Sequence, residues 1–445
     1  MHRLMFRKVL IANRGEIAVR VAAVCRQMGI GTVAVYSTAD EKLPHVAAAD
    51  EAVAIGPPPP RESYLNADAI LAAAKRTGAE AIHPGYGFLS ENADFAGKCE
   101  SAGLVFIGPP PKVMARMKDK VQARNLVAHN AVPVVPGSEG LIEGHDAARA
   151  IGRKIGYPLL VKAANGGGGI GMTPVNDEAG LEKALTTCAD RARAAFGRPG
   201  VYLERYFSAP RHVEVQILGD GRRTIHLFER ECSIQRRYQK VVEEAPAPLA
   251  APRDFFEQLY RSAVRAAQAF GYANAGTVEF LVADGKFYFL EMNARLQVEH
   301  PVTEATTGVD LIGWQIRIAA GEKLSLPPVE RTGHAIEFRI YAEDPIRMLP
   351  SPGTITRFDP PSGEGIRCDA GYRAGDTVTP FYDPLLAKLV VSAPSREAAV
   401  ARAAAALTEF RIEGIKTNLD LHRRIVFSEA FGSGSLDTRF LERLR

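Results

Sequence analysis

Cysteine is scarce in this chain: Cys25, Cys99, Cys188, Cys232 and Cys368 are the only five in 445 residues, odd in number and without a Cys-x-x-Cys spacing. That argues against a disulfide scaffold or a cysteine zinc site and for free thiols in a reducing cytoplasm. No run approaches the roughly 20 apolar residues that a membrane helix requires. Basic residues precede Val9-Leu-Ile-Ala12, but Asn13-Arg-Gly-Glu16 interrupts the apolar run at once, so no signal peptide is expected. The formal net charge is only +4, and Lys and Arg are scattered without interleaved aromatics. A nucleic-acid partner is therefore not expected, although a weak positive potential favours small anions. The chain has no Gly-x-Gly-x-x-Gly after its first strand and no Gly-Lys-Ser/Thr loop, which removes dinucleotide binding and the P-loop from consideration. It also has no Ala-Met-Lys-Met hairpin, internal repeat or low-complexity tail.

What is present alternates between strand and helix patterns over a length too great for one core. Lys8-Val-Leu-Ile-Ala12, a helix to about Met28 and Gly31-Thr-Val-Ala-Val35 form a βαβ pattern that predicts parallel strands. Three regions follow from the breaks: an α/β, Rossmann-like domain over 1–111, a central domain over 112–332 with a small lobe at about 133–203, and a β-rich domain over 333–445. Residues 112–131 read as one helix containing Lys120. In the lobe, a strand bearing Lys162 runs into Asn165-Gly-Gly-Gly-Gly-Ile-Gly171 and then Met172-Thr-Pro-Val175. Glycines at 167, 168 and 169 would let backbone N–H groups approach phosphate oxygens and let the loop close. Val201-Tyr-Leu-Glu204 leads to a hinge, and Arg211-His-Val-Glu-Val-Gln-Ile217 alternates so that His212, Glu214 and Gln216 share a face.

The most informative stretch is Glu291-Met-Asn-Ala-Arg-Leu-Gln-Val-Glu299. In an extended chain Glu291, Asn293, Arg295, Gln297 and Glu299 project from one side. The bland alternative is an edge strand with its charges in water. The preceding run Gly276–Val282 argues against it, because a hairpin through Asp284, Gly285 and Lys286 would set Glu279 opposite Glu291. Two such carboxylates need a cation between them, and oxygen donors of this kind suit Mg²⁺ carrying a phosphate substrate.

Together with His83-Pro-Gly-Tyr-Gly-Phe-Leu-Ser-Glu-Asn92, Gln235-Arg-Arg and Glu243-Glu-Ala-Pro246, these stretches resemble the biotin carboxylases, ATP-grasp subunits or domains of biotin-dependent carboxylases, from about Lys8 to Asn418. The resemblance implies an ATP-grasp central domain with a mobile lid and a C-terminal biotin carboxylase domain. It implies that Lys120, Lys162, the glycine loop, Glu204, His212, Gln235 and Tyr238 serve ATP, and that Glu279 and Glu291, helped by Asn293, hold Mg²⁺ or Mn²⁺, two ions being expected. Arg295, Gln297 and the Val298 backbone would bind bicarbonate, Glu299 would deprotonate it, Lys240 would add positive charge, and Arg339 would stabilise the biotin enolate. Three positions depart from the commoner pattern: Ile170 for arginine, Tyr238 for histidine and Arg205 for lysine.

The expected activity is ATP-dependent carboxylation of biotin on a separate biotin carboxyl carrier protein, through carboxyphosphate. It would be the first half-reaction of an acyl-CoA carboxylase, acetyl-CoA being the favoured acceptor, as in fatty acid biosynthesis. Carboxyltransferase subunits and a homodimer are the other expected partners. Two competing readings are an ATP-grasp ligase joining a carboxylate to an amine and a nucleotide-binding regulator without turnover. The first would not need bicarbonate, and the second would bind ATP without releasing phosphate.

Overall fold

The structure, a computed structural model, describes residues 5–164, 171–197 and 200–444. Near the N-terminus five strands form one sheet in the order Glu51–Gly56, Gly31–Ser37, Lys8–Ile11, Ala81–His83, Val105–Phe106, every pair parallel. Val9, Leu10 and Ile11 are buried, as a strand covered on both faces demands. At the ends of these strands Asn13 donates to the carbonyls of Pro84 and Tyr86 at 2.7 Å each. Gly85 has φ 61°, and a Cβ there would lie 2.8 Å from Asn13 Nδ2, so only glycine lets the turn wrap this side chain. Asn13, Arg14, Glu16 and Tyr86 are thereby grouped beyond the carboxyl ends of parallel strands, the edge where open α/β sheets carry their sites.

The helix expected over 112–131 is two helices, Pro111–Lys118 and Lys120–His129. Asp119 divides them because its carboxylate accepts from the N–H groups of Val121 and Gln122, capping the second helix and making Lys120 its first residue. The lobe has its own antiparallel sheet, ordered Met172–Val175, Leu159–Ala163, Val201–Arg205, and its own core around Leu159, Val161, Leu185 and Leu203. Gly167, Gly168, Gly169 and Ile170 lie outside the described residues.

An eight-stranded antiparallel sheet spans the rest: Lys286–Asn293, Ala273–Ala283, Arg211–Asp220, Thr224–Arg236, Gln239–Ala245, His334–Tyr341, Leu385–Ala393, Ile366–Ala370. Val242 pairs with Phe338, so the ladder passes without interruption from the central region into the C-terminal one. Helix Arg396–Glu409 packs alanines onto its far end.

Glu279 does face Glu291, but not through a three-residue loop. The connection is a two-residue turn, Asp284-Gly285, both left-handed (φ 52° and 69°), and a bulge between the Glu279 and Phe280 pairs shifts the register by one to restore the facing acids. The extended ribbon also ends earlier than its alternation implies. Regular strand stops at Asn293, Leu296 turns into the core, and Glu299 sits at the N-cap of helix His300–Thr307. Burial of Leu296 and the onset of that helix, with Pro301 in its first turn, override the extended pattern.

Candidate active site

Two strands and the turn after Asn293 deliver three acids to one ammonium on a third strand. Lys240, on Gln239–Ala245, donates to Glu214 at 2.5 Å, Glu279 at 2.9 Å and Glu299 at 2.7 Å. All three carboxylates are almost wholly buried. Their mutual repulsion is tolerated because cations surround them. Arg230, fully buried, donates to Glu214 at 2.6 Å and to Gln216 at 2.7 Å, and Arg339 reaches Glu299 at 2.9 Å and pairs with Glu243. Burial raises the Glu299 carboxyl, but Lys240, Arg339 and Arg230 outweigh it and hold the group well below the usual carboxylate range. The same contest leaves Glu279 lowered, with Lys240 and His212 prevailing over burial. Burial wins at Glu243, whose carboxyl is pushed up to about 7 despite Arg339.

Around Glu279 the predicted neighbours assemble. His212 Nε2 lies 3.0 Å from one carboxylate oxygen, and Asn293 and Gln297 donate to the other at 2.9 and 3.3 Å. Gln235 meets His212 Nδ1 at 2.7 Å. Arg295 donates to Gln297 at 2.8 Å, to Asn293 at 3.3 Å and to Glu91 at 3.3 Å, so its guanidinium is held at the mouth of the cluster. The Val298 carbonyl accepts from Lys388 at 2.9 Å.

Glu291, the cross-strand partner of Glu279, pairs with Lys120, 3.2 Å distant. Lys162 and Glu204 pair with each other at 2.8 Å, with Arg124 3.7 Å from the same carboxylate. Tyr238 stands on a turn with left-handed backbone at Arg237 and Tyr238 and is 63% exposed.

Between Arg295, Val298 and Arg339 on one side and Tyr86, Tyr382 and Asp383 on the other lies a cavity of about 330 Å³. Sequence reasoning missed Arg230, Glu91, Lys388 and Tyr382. Arg230 carried a weak signal: it is a cation set directly between two acids, Glu229 and Glu231, in a segment with strand character.

The site can hold a divalent cation. The oxygen donors of Glu279, Glu291 and Asn293 suit a hard ion, and the buried Glu279 already attracts an ammonium and an imidazole. The arrangement combines an ionised acid, the Lys240 ammonium and an anion-binding guanidinium next to an open cavity.

Comparison with known proteins agrees. The family model for the biotin carboxylase N-terminal domain matches residues 5–114, that for the carbamoyl-phosphate synthase L chain ATP-binding domain residues 119–326, and that for the biotin carboxylase C-terminal domain residues 337–443. The chain is 51% identical to the biotin carboxylase of Pseudomonas aeruginosa over 443 residues, covering 99% of this chain and 98% of that protein. It is 48% identical to a pyruvate carboxylase subunit from Methanothermobacter thermautotrophicus, covering 99% of this chain and 90% of that protein. Among solved structures, the biotin carboxylase domain dimer of Hydrogenobacter thermophilus 2-oxoglutarate carboxylase, in complex with MgADP, ADP and bicarbonate, superposes with a TM-score of 0.93 at 47% identity, covering 99% of this chain and 98% of that one. Read with the Lys240 cluster and its adjoining pocket, these matches along essentially the whole length mean that the chain belongs to the biotin carboxylase family of ATP-dependent ligases.

Proposed function

We propose that this enzyme uses ATP and bicarbonate to carboxylate biotin borne on a carrier protein, working in the cytoplasm as a homodimer and supplying a carboxyltransferase. The observation that carries the reading is the convergence of Glu299, Lys240, Arg295 and Arg339 beside one cavity. Arg295, Gln297 and the Val298 backbone hold bicarbonate, and Glu299, ionised at neutral pH, accepts its proton. The resulting carbonate attacks the γ-phosphate of ATP to give carboxyphosphate and ADP. Lys120, Lys162 and Lys240 balance phosphate charge, so the step rests on positioning and electrostatics. Carboxyphosphate then yields CO₂ and phosphate, which takes the ureido proton of biotin.

The cavity beside Arg339 is the place for the ureido ring, and Arg339 stabilises the enolate that forms before the N–C bond closes. Glu279, Glu291 and Asn293 hold Mg²⁺ or Mn²⁺, which when bound neutralises phosphate charge. Glu204 belongs to the adenine hinge, with His212, Gln235 and Tyr238 beside the nucleotide and the glycines at 167, 168 and 169 as its cover. The functional units are 1–111, 112–332 and 333–445, with 133–203 as the lid.

Acetyl-CoA is the first acceptor to test for the downstream transferase, with pyruvate and 2-oxoglutarate as competitors on the strength of the relatives' names. The half-reaction is tested by following ATP hydrolysis with free biotin. Turnover is expected to require both bicarbonate and biotin and to fall by about 10² to 10³ in Arg295→Ala. Equal hydrolysis without bicarbonate would refute the proposal.

A further inference from the structure

We infer that Lys388 is a positioning residue for the bicarbonate-binding backbone at Val298, an inference that rests on the reading of Val298 just given. Lys388 lies on strand Leu385–Ala393 and is 0% exposed. Its ammonium donates to the Val298 carbonyl at 2.9 Å and lies 3.2 Å from Glu16 and 4.0 Å from Asp369. The Tyr86 ring centre is 5.9 Å away. Glu16 comes from helix Gly15–Gln27 of the N-terminal region, and Asp369 is the cross-strand partner of Lys388 on Ile366–Ala370. One ammonium therefore ties the N-terminal helix and the C-terminal sheet to the turn that carries the site.

The cross-strand partner on its other side is Arg339. Two cations directly opposite each other oppose folding unless each is matched by acids. Arg339 is matched by Glu243 and Glu299, and Lys388 by Glu16 and Asp369. The two cations also grip consecutive residues: Arg339 holds the Glu299 side chain and Lys388 holds the Val298 carbonyl. An apolar side chain would fill this interior position without desolvating a charge, so packing alone does not call for an ammonium. What the ammonium adds is a donor to that carbonyl. With it in place the peptide joining Val298 to Glu299 is anchored at its carbonyl, while the preceding peptide, which carries the Val298 N–H, is met at the Gln297 carbonyl by His300 Nδ1 at 2.9 Å. The two anchors flank the Val298 Cα and hold its amide in register with the Glu299 base.

The test compares the parent enzyme with Lys388→Met and with Glu16→Gln/Lys388→Met, each checked for cooperative thermal unfolding. Bicarbonate-dependent ATP hydrolysis is measured against both substrates. The KM for bicarbonate is expected to rise about tenfold or more, while the KM for ATP stays within about twofold, because the partners of Lys388 are Val298, Glu16 and Asp369, none of them among the residues proposed to serve ATP. The double variant leaves no unmatched Glu16 carboxylate and carries the test if the single variant does not fold. An unchanged bicarbonate KM, or parallel rises in both constants, would overturn the role of Lys388. Absence of bicarbonate-dependent turnover in the parent enzyme would instead overturn the proposed function.

Discussion

Lys240 donates to Glu299 across 2.7 Å in the interior of the protein, so the proposed base and the proposed phosphate-side cation neutralise each other. An acid held this far below its usual range is fully charged at neutral pH but a weak proton acceptor. Drawing the ammonium toward incoming anions weakens the largest lowering influence and leaves only Arg339 and Arg230 against burial, so the carboxyl moves upward. Substrate entry would thus strengthen the base at the moment it is needed. In Glu299→Gln the charge is lost while the shape is kept. Bicarbonate-dependent turnover is expected to drop by at least about 10², with ATP affinity within a few fold, measured by phosphate release and by calorimetric titration. Retained turnover would remove Glu299 from the mechanism.

Lys162 and Glu204 form a buried pair, each side chain about 9% exposed. Removing one charge strands the other, so Lys162→Met is expected to cost about 3 to 5 kcal/mol locally, read as early melting of the lobe. Lys162→Met/Glu204→Leu should recover most of that stability yet still bind ATP at least about tenfold more weakly. Recovery of both properties together would make the pair structural only.

Glu279 is the most heavily bonded of the expected metal ligands. Substituting Glu279→Gln should raise the Mn²⁺ concentration needed for half-maximal activity by about tenfold or more, and spectroscopic titration of bound Mn²⁺ should show the same loss. A metal requirement unaltered in Glu279→Gln but shifted in Glu291→Gln would transfer the role to Glu291.

Burial raises the Glu16 carboxyl to about 7, against the attraction of Lys388. Its folded pKa exceeds the unfolded value of about 4.3, so the native state binds the extra proton between those limits. The sign is therefore a loss of stability as pH rises through that window. The Tm of the parent enzyme relative to Glu16→Gln should fall between about pH 5 and pH 8, followed by calorimetry. A constant difference would show that Glu16 does not titrate there.

Local features are readable from sequence because they depend on nearest neighbours. The parallel N-terminal strands, the strand into the glycine run and the alternating face bearing His212, Glu214 and Gln216 all appear. The pairing of Glu279 with Glu291 also follows from sequence, but through a different loop, because the alternation of residues says nothing of a bulge at Leu290. From Asn293 to Glu299 the ribbon is less straight than its alternation implies, since burial of Leu296 is a tertiary effect. Lys388 and Arg230 are hard to find for a related reason. A buried cation reveals its purpose only through partners that lie far away in the chain: Val298 is 90 residues from Lys388 and Thr303 is 73 from Arg230.

The unbroken ladder from Lys286–Asn293 to Ile366–Ala370 makes a single plate of the surface that carries Glu214, Lys240 and Arg339. Hinge motion between the two ends of this plate would have to shear these strand pairings, whereas Met172–Val175, Leu159–Ala163 and Val201–Arg205 form a separate three-stranded sheet. If the proposed cover moves, the reacting groups carried by this plate keep their spacing while substrates come and go.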